Sequence, residues 1–443
     1  MNHVRQHRIM AVSAILALTV AAGLLASREA LSAPADQVLY NFMKAQGDDH
    51  SPSGLIRDAA GNLYGTTYSG LAGQAGNVFE LSPQQGGGWN FTVLHKFKFM
   101  TSDGAYPSGS PTMDAAGNLY GVTKNGGTGC PGEGSLGCGI VYELSPNEGG
   151  GWTEKILYNF QGNTIDGIGP LGSLTFDAEG NLYGTTVGGG VGDGDLGGGT
   201  VYELSPQSGG SWTEKVLYTF VYPGQAGYAP SAGVIFSANG NLYGTTYGGG
   251  SDPSCSGSYG CGTVFELSSD GNGNWTETVL HNFKNNSPDG VFPVSNLLMD
   301  ATGNLYGATS EGGSYAGSCD GYGCGVVYEL SLKQNGLWKE KILYSFLGNG
   351  MDGIFPAGNI LFDPSGNIYG AAYKGGNHGK GAIFELVQPG TGKWTEKIRH
   401  NFGSSTNDGH YPNGVVLDPL GDLYGTTSNG GTYDGGTVFQ LVD

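Results

Sequence analysis

Acidic and aromatic residues gather in a few glycine-rich segments of this chain, and they are the side chains best suited to hold a ligand. A carboxylate accepts hydrogen bonds, while a tyrosine offers a rigid ring at a low cost in conformational entropy. Such a set predicts a binding surface for a glycan, a peptide or a cell-surface partner. The candidate binding residues are Asp193, Asp195, Asp252, Tyr259, Glu311, Tyr315, Asp320 and Tyr322.

A second acidic pattern recurs at the segment DG-x-x-P, where six aspartates share one place and Ala226 is the exception. Calcium binding or a catalytic carboxylate pair would be one interpretation. A structural role explains the pattern better, because Asp caps its own turn, Gly supplies a positive φ and Pro fixes the entry of a strand. We therefore predict no metal site here. The six residues are Asp48, Asp103, Asp166, Asp289, Asp352 and Asp408.

Three histidines could act as bases, but their position argues against it. His95, His281 and His400 occupy a place that tyrosine holds in the other copies of the same segment. A residue that exchanges with tyrosine within one chain is not an obvious general base. The motifs G-x-S-x-G, H-E-x-x-H and the Walker loop do not occur. The sequence thus predicts no catalytic residue, no metal and no cofactor.

The elements that position these residues form a sevenfold repeat. The string GNLYGTT, or a close variant, is followed in each copy by a string like GTVFEL and then by one like WTEKILYNF. A fixed period of about 60 residues indicates a repeat architecture. The first string begins at Gly61, Gly117, Gly180, Gly240, Gly303, Gly366 and Gly421.

The two ends of the chain fall inside the same copy. The last string of a unit stands at the front, as Gln37 to Phe42, and the chain finishes with the earlier strings of a unit. This phase shift is typical of a ring that is closed by its own termini. An open stack would need polar caps at both ends, and none is visible.

One unit reads as four short antiparallel strands. In the third copy they are Leu174–Asp177, Asn181–Thr186, Thr200–Leu204 and Trp212–Phe220. Such a sheet must bury both faces against neighbouring sheets, and seven sheets around an axis achieve this. We predict an all-β fold, a seven-bladed β-propeller of four-stranded antiparallel blades. The recurring Tyr of GNLYGTT and the Trp residues are expected to pack between blades.

The loop between the second and third strands varies from copy to copy, and variable parts carry function in repeat proteins. It has 8, 15, 12, 15, 15, 8 and 8 residues in units one to seven. The four long loops, which contain the candidate binding residues, are consecutive and predict a lopsided wall around the channel mouth. The alternative is that they are tolerated insertions.

Six cysteines fall in these long loops as three close pairs: Cys130 with Cys138, Cys255 with Cys261, and Cys319 with Cys324. An even number of cysteines in an exported chain predicts disulfide bonds. Zinc is the alternative, but no C-x-x-C spacing or nearby histidine supports it.

The N-terminus has the features of a secretory signal. Arg5 and Arg8 precede an apolar run from Ile9 to Ala26, and Ala33-Pro34-Ala35 matches a cleavage pattern. We expect a signal peptide at 1–35 and a single propeller domain at 36–443, secreted or periplasmic and monomeric. An uncleaved N-terminal anchor is the alternative.

The charge of the chain excludes some partners. The formal net charge is −19, and residues 1–35 carry three Arg and one Glu, so the remainder carries −21. This balance repels nucleic acid and anionic lipid surfaces. No other segment is apolar enough to cross a membrane once the signal is removed.

The repeated strings resemble the Gloeo–Verruco (GloVer) tandem repeat of exported bacterial proteins. The resemblance covers Gln37 to Val442 and is carried by GNLYGTT (Gly61–Thr67), GTVFEL (Gly262–Leu267), WTEKILYNF (Trp152–Phe160) and the DG-x-x-P segment. It implies an exported, repetitive β protein and no particular activity. Many relatives carry a C-terminal surface anchor, whereas this chain stops at its last strand.

Three hypotheses about function follow from these observations. The first is an exported, non-catalytic binding propeller that uses the loops of units two to five. The second is a secreted carbohydrate-active enzyme, a lyase or a glycosidase, for which hydrolysis needs two carboxylates about 5–10 Å apart. The third is a passive scaffold of the cell envelope.

Overall fold

A computed structural model gives the fold of this chain as strands and turns, and the described part contains no helix. The described residues are 36–44, 50–69, 74–98, 101–130, 136–162, 166–190, 197–222, 224–255, 260–314, 319, 321–390 and 392–442. Within these ranges no segment forms an apolar helix of membrane-spanning length. The predicted signal peptide at 1–35 lies outside the described residues.

The strands form seven sheets of sequential, antiparallel neighbours, which we number as blades one to seven. Blades one to four each have four strands. They are β2 (His50–Arg57), β3 (Leu63–Ser69), β4 (Gln74–Pro83), β5 (Trp89–Lys98); β6 (Gly104–Met113), β7 (Leu119–Gly126), β8 (Ile140–Pro146), β9 (Trp152–Asn159); β10 (Gly167–Phe176), β11 (Leu182–Gly189), β12 (Thr200–Pro206), β13 (Trp212–Thr219); and β14 (Ile235–Phe236), β15 (Leu242–Thr246), β16 (Thr263–Ser269), β17 (Trp275–Asn282).

Blade five has its first strand in two pieces, and blade seven takes its fourth strand from the front of the chain. The remaining strands are β18 (Gly290–Pro293), β19 (Leu298–Met299), β20 (Leu305–Gly312), β21 (Val326–Leu332), β22 (Trp338–Ser345) in blade five; β23 (Gly353–Phe362), β24 (Ile368–Gly375), β25 (Ala382–Val387), β26 (Thr395–Asn401) in blade six; and β27 (Gly409–Leu417), β28 (Leu423–Gly430), β29 (Asp434–Leu441), β1 (Gln37–Met43) in blade seven.

The ring is closed by its own termini, as predicted. β1 pairs antiparallel with β29, with Gln37 opposite Gln440 and Val38 opposite Phe439. The side chain of Phe42 is fully buried and packs on Phe79 of blade one, with ring centroids 5.3 Å apart. The seven-bladed β-propeller is therefore confirmed.

The hydrophobic cores lie between blades and not within them. Seven clusters of buried residues occur in the described part of the chain, and each combines side chains of two adjacent blades. Between blades one and two, for example, Val78 packs with Leu119 and Ile140. The tyrosine of GNLYGTT belongs to these cores, and Tyr120 meets Phe176 of the next blade edge to face at 5.1 Å. Each blade thus needs both neighbours to bury its apolar faces.

Strand order assigns the connections to two faces of the ring. In blade three, Gly167 lies opposite Gly189 at one end of the sheet, and Phe176 lies opposite Leu182 at the other. The loops between second and third strands therefore share a face with the starts of the first strands. We call this end of the ring the mouth face. The turns after the first and third strands form the opposite face.

The DG-x-x-P segment begins the first strand and does not precede it, which corrects the strand start predicted at Leu174. Asp166 accepts hydrogen bonds from the backbone N–H of Gln161 (2.6 Å) and of Gly167 (2.6 Å), so it fixes the chain as it enters the blade. The prediction that this glycine supplies a positive φ was wrong. Gly167 is required because a Cβ would lie 2.3 Å from the side chain of Thr186.

Blade four shows what the aspartate contributes. Ala226 replaces it, and the regular first strand shrinks to the two residues of β14, with one bridge between Tyr228 and Gly248 nearer the mouth face. The part of this strand near the mouth face is thus paired through a single bridge, whereas blade five, which keeps Asp289, forms regular strand there from Gly290 to Pro293.

Candidate binding face

Three of the long loops are closed by disulfide bonds and are hydrogen-bonded to the neighbouring blade. Cys130–Cys138, Cys255–Cys261 and Cys319–Cys324 are disulfide bonds, as predicted. The carbonyl oxygen of Cys261 accepts a hydrogen bond from the N–H of Phe292 in blade five at 2.9 Å. Cys138 and Cys324 make the same contact to their next blades, also at 2.9 Å. Each of these three loops is therefore hydrogen-bonded through its backbone to the following blade.

Three of the predicted binding residues, Asp252, Glu311 and Tyr322, are described. Asp252 accepts hydrogen bonds from the Ser254 hydroxyl (2.7 Å) and the Asn285 N–H (3.1 Å), so its carboxylate fixes its own loop. The hydrogen bond from Ser254 is the main reason that the pKa of Asp252 is lowered. Asp193, Asp195, Tyr259, Tyr315 and Asp320 lie outside the described residues.

Glu311 and Tyr322 both lie near the aromatic pair formed by Tyr247 and Phe292. Burial raises the pKa of Tyr247, and the charge of Glu311 raises it further. The ring of Tyr322 lies 6.2 Å from that of Phe292. Two of the predicted binding residues thus lie beside an aromatic pair that the sequence analysis did not identify.

Among the described residues, three stacked aromatic pairs bridge consecutive blades on the mouth face. In each pair, one ring belongs to the residue after the GTT-like string, and the other ring precedes the proline of the next DG-x-x-P segment. The pairs are Tyr68 with Tyr106 (5.1 Å between centroids), Tyr247 with Phe292 (4.7 Å) and Tyr373 with Tyr411 (4.9 Å). Tyr68 and Tyr247 are 41% and 43% exposed, which leaves ring surface available to a ligand.

The backbone that carries one partner of each pair is strained. Tyr106, Phe292 and Tyr411 have φ values of 59°, 59° and 63°, in the left-handed region. A residue with a Cβ loses about 1–2 kcal/mol there, and glycine would relieve it. Blade three does place a glycine at this position, Gly169, with φ of 65°. Ser51, Ala229 and Phe355 hold this place in the remaining blades, with φ of 57°, 54° and 58°, so the positive φ belongs to the repeat and not to the aromatic pairs.

Lysines lie over two of the rings that face the mouth. Lys374 Nζ is 5.5 Å from the centroid of Phe355, and Lys380 Nζ is 5.6 Å from that of Tyr411. These are cation–π distances. They place positive charge on the face of a chain whose net charge is −19.

A cavity of about 1110 Å³ occupies the centre of the ring. Its lining consists mainly of small and polar residues of the first strands, including Ser110, Ser173 and Asn359. Tyr68 and Tyr373 also line it, and they belong to blades one and six, whose loops are short. Two of the aromatic pairs therefore place a ring on the cavity lining, in blades whose loops are short.

A different set of polar residues recurs in the crevices between blades. Tyrosine or histidine near the end of one fourth strand meets the aspartate of the next DG-x-x-P segment and an acidic residue of the next fourth strand. Tyr344, for example, donates to Asp352 (3.0 Å) and to Glu396 (3.3 Å). This shared donor role explains why histidine and tyrosine exchange at one place.

Burial is the main reason that the pKa values of the glutamates in these crevices are raised. It raises the pKa of Glu277 to about 7, where Ala226 leaves no aspartate alongside. The pKa of Glu214 rises to about 8, because burial is joined by the charge of Asp166. For Glu396 it rises to about 9, where burial is joined by Asp352.

His400 forms an ion pair in the crevice between blades six and seven. Burial alone would lower the pKa of this imidazole, but Asp408 at 3.4 Å and Asp36 at 3.6 Å raise it overall. Burial would raise the pKa of Asp408, and the hydrogen bond with His400 lowers it instead. A cavity of about 300 Å³ lies beside this pair.

A family model assigns the repeat. The Gloeobacter/Verrucomicrobia repeat matches residues 130–319 and 254–442, which together span more than half of the chain. The chain belongs to the Gloeobacter/Verrucomicrobia repeat family. No curated protein shows a significant match to it.

Solved structures resemble this member of the Gloeobacter/Verrucomicrobia repeat family only remotely. A gluconolactonase from Xanthomonas campestris is 12% identical, with a TM-score of 0.41, over 94% of this chain and 99% of that one. A luciferin-regenerating enzyme is 12% identical, with a TM-score of 0.43, over 76% and 91%. The extracellular domain of a candidate one-component system from B. thetaiotaomicron is 11% identical, with a TM-score of 0.47, over 92% and 40%.

Within the Gloeobacter/Verrucomicrobia repeats of this chain, two kinds of position can be separated. The tyrosine of GNLYGTT and the valine of GTVFEL recur in the cores between blades. The residue after GTT differs from copy to copy, and it is Tyr68, Lys124, Val187, Tyr247, Ser310, Tyr373 or Ser428. A position that the fold does not require to be aromatic is the better candidate for function.

Proposed function

We propose that this protein is an exported, non-catalytic binding propeller whose ligand is a glycan held at the mouth face. The working domain comprises residues 36–443, released by removal of a signal peptide at 1–35. The three disulfide bonds support export, because such bonds persist in oxidising compartments.

The observation that carries this proposal is the set of aromatic pairs around an open cavity. Ring faces carry negative potential and attract the weakly positive C–H bonds of a sugar ring. Tyr68 and Tyr373 offer such surfaces at the rim of a cavity whose walls supply hydroxyl and amide groups for hydrogen bonds.

The long loops form the second half of the proposed site. Asp252, Glu311 and Tyr322, with Asp193, Asp195, Tyr259, Tyr315 and Asp320, are the residues that we assign to this wall. A disulfide-bonded loop loses little conformational entropy when it binds. A peptide or a protein on the cell surface would use the same wall without needing the aromatic pairs.

An enzymatic role receives less support from the cavity. Asp363 is the one carboxylate among the described residues that line it. Its oxygens accept hydrogen bonds from Ser365 N–H (2.8 Å) and from Asn367 N–H and Nδ2–H (both 2.8 Å), so it serves as a turn cap on the opposite face. Two-carboxylate hydrolysis needs a facing pair.

The experiment is a glycan array followed by calorimetry on purified residues 36–443. Tyr68→Ala and Tyr373→Ala should each weaken binding at least tenfold, because buried aromatic contacts dominate affinity. Leu420→Ala is the matched control, since Leu420 is 60% exposed on the opposite face. A second arm replaces residues 310–324 with residues 373–380, the short loop of unit six.

The outcomes separate the hypotheses. Loss of binding in the tyrosine variants alone supports the glycan site at the aromatic pairs. Loss of binding only in the loop-graft variant would place the site on the long loops and would favour a peptide or protein ligand. Turnover of any bound polysaccharide would overturn the non-catalytic assignment. Absence of binding to glycans and peptides would favour the scaffold.

A further inference from the structure

Two of the crevices between blades bring a histidine and two carboxylates to one point. Between blades one and two, His95 Nε2 lies 3.4 Å from Asp103 Oδ1 and 3.6 Å from Glu154 Oε1. The three ligand atoms lie within 4.8 Å of one another. Their side chains are 20%, 14% and 17% exposed, so they remain accessible to an ion while most of their surface is covered.

The second cluster repeats this arrangement with the same atoms. Between blades four and five, His281 Nε2 lies 3.3 Å from Asp289 Oδ1 and 3.7 Å from Glu340 Oε1. Among the described residues these two clusters are the ones in which three such ligand atoms converge. Because the blades are copies, the repeat itself holds the three side chains in one geometry.

These separations match the coordination of zinc. Zinc binds imidazole nitrogen and carboxylate oxygen at about 2.0–2.2 Å in tetrahedral sites, so two of its ligands lie about 3.4 Å apart. The distances from the histidine nitrogen to its two carboxylates, 3.3 to 3.7 Å, fall around this value, and the two carboxylates of each cluster lie within 4.8 Å of each other. Magnesium, which is octahedral with bonds of about 2.0–2.1 Å, would hold adjacent ligands about 2.9 Å apart. Calcium allows the wider spacing but prefers oxygen ligands, whereas the imidazole nitrogen favours zinc.

A buried hydroxyl lies beside each cluster, and Tyr202 holds the same place beside the crevice between blades two and three, so this hydroxyl is a feature of the repeat. Tyr142 and Tyr328 are fully buried, and neither hydroxyl has a hydrogen-bond partner among the described residues. Burial raises the pKa of Tyr328, and the charges of Glu340 and Asp289 raise it further, which places this phenol beside both carboxylates. Glu154 acts on Tyr142 in the same way. A water on a metal ion would give such a hydroxyl a partner.

Two other crevices of the same chain lack one element of the cluster. Between blades two and three, Tyr158 replaces the histidine beside Asp166, so no nitrogen lone pair is available. Between blades six and seven, His400 uses Nε2 toward Asp408 and Nδ1 toward Asp36, so its two carboxylates lie on opposite sides of the ring. Neither crevice can close three ligands around one ion.

We propose that His95, Asp103 and Glu154 bind one zinc ion, and that His281, Asp289 and Glu340 bind a second. Each ion joins two adjacent blades through three protein ligands and leaves a fourth position for water. The ions tie the ring together at two of its seven crevices and are independent of the glycan site at the mouth face.

The test is metal analysis of tag-free residues 36–443. After treatment with a chelator and titration with zinc chloride, calorimetry and elemental analysis should give two bound zinc ions per chain. His95→Tyr and His281→Tyr should each lose one, and the double variant should lose both. These substitutions install the residue that the chain itself uses at Tyr158, so the fold should persist. His400→Tyr is the control and should retain both ions.

Cobalt gives a readout of geometry. Cobalt-loaded protein should show the intense visible absorption of a tetrahedral site, halved in either single variant. Glu340→Gln should weaken zinc binding at the second site, since a carboxamide is a poor zinc ligand. The proposal is overturned if the wild-type protein binds no zinc, or if the double variant binds as much as the wild type. Equal loss in His400→Tyr would also overturn it, because the ions would then not depend on converging ligands.

Discussion

The crevice between blades five and six allows a sharp prediction about pH and stability. Glu396 Oε1 and Asp352 Oδ1 are both buried, and neither oxygen has a hydrogen-bond partner among the described residues. A proton on Glu396 would satisfy both oxygens at once. Burial is the main reason that the pKa of Glu396 rises to about 9, and the hydrogen bond to Asp352 adds to it.

The direction of the effect follows from proton linkage. The folded chain keeps a proton on Glu396 that the unfolded chain releases near pH 4.5, so the free energy of unfolding falls as the pH rises from 4.5 toward 9. At about 1.4 kcal/mol for each pH unit, the ceiling at pH 8 is about 5 kcal/mol. Because the side chain is only half-buried and solvent screens it, we expect about 1–2 kcal/mol.

Glu396→Gln should remove this penalty. Its amide can donate an N–H to Asp352 in place of the proton, and it carries no charge at any pH. We expect the variant to be more stable than wild type by about 1–2 kcal/mol at pH 8 and nearly equal at pH 5. Urea unfolding followed by tryptophan fluorescence at both pH values measures the difference from the midpoints.

Glu179→Gln, in an exposed turn of blade three, is the matched control and should show no difference between the two pH values. The reasoning is refuted if Glu396→Gln changes stability equally at pH 5 and pH 8. It is also refuted if the variant is less stable than wild type at pH 8, since the carboxylate would then be favourable in the fold.

Three further outcomes test the ring, its staples and its ion pair. Phe42→Ala should lower the free energy of unfolding by about 3–5 kcal/mol in urea, because this fully buried ring anchors the closing strand. A smaller effect than that of a half-buried residue in the same strand would contradict closure. The double change Cys255→Ala and Cys261→Ala should lower it by about 2 kcal/mol, with an unchanged far-ultraviolet spectrum, because the closed loop is short. His400→Gln should destabilise by about 1 kcal/mol at pH 5.5 and by little at pH 8.5. Because the pKa of His400 is raised in the folded chain, the ion pair stabilises the fold fully below about pH 6.5, and this stabilisation is lost as the pH rises through the pKa of the folded chain. The lowered pKa of Asp408 keeps its carboxylate charged at pH 5.5. A pH-independent effect would contradict the ion pair.

The architecture could be predicted because the chain begins with the last strand of a repeat unit and ends with the earlier strands of one. Gln37 to Phe42 matches the last string of a unit, and the pairing of Val38 with Phe439 follows from that match. The three disulfide bonds could be predicted as readily, since each joins cysteines five to eight positions apart. Local spacing and one period sufficed for both.

The aromatic pairs could not be predicted in the same way, because each pair joins different units. Tyr68 and Tyr106 contact each other only when blades one and two are packed and the backbone at Tyr106 adopts a positive φ. A tyrosine before proline gives no such indication, since that residue normally favours an extended backbone. The available signal was the residue after GTT, which changes type from copy to copy.

The histidines show how a repeat can conceal chemistry. Tyrosine and histidine exchange at this position because both can donate a hydrogen bond to the aspartate of the next blade, as Tyr158 does to Asp166 at 3.2 Å. That exchange argues against a general base, but it does not bear on metal binding, which needs only the nitrogen lone pair that tyrosine lacks. Around His281 both carboxylates lie next to Nε2, so the three groups can also bind a metal ion. Around His400 the two carboxylates lie next to different ring nitrogens, so they cannot share one ion with the imidazole. The decisive variable is therefore the side of the imidazole on which the next blade places its acid, and that is set by the packing of two blades.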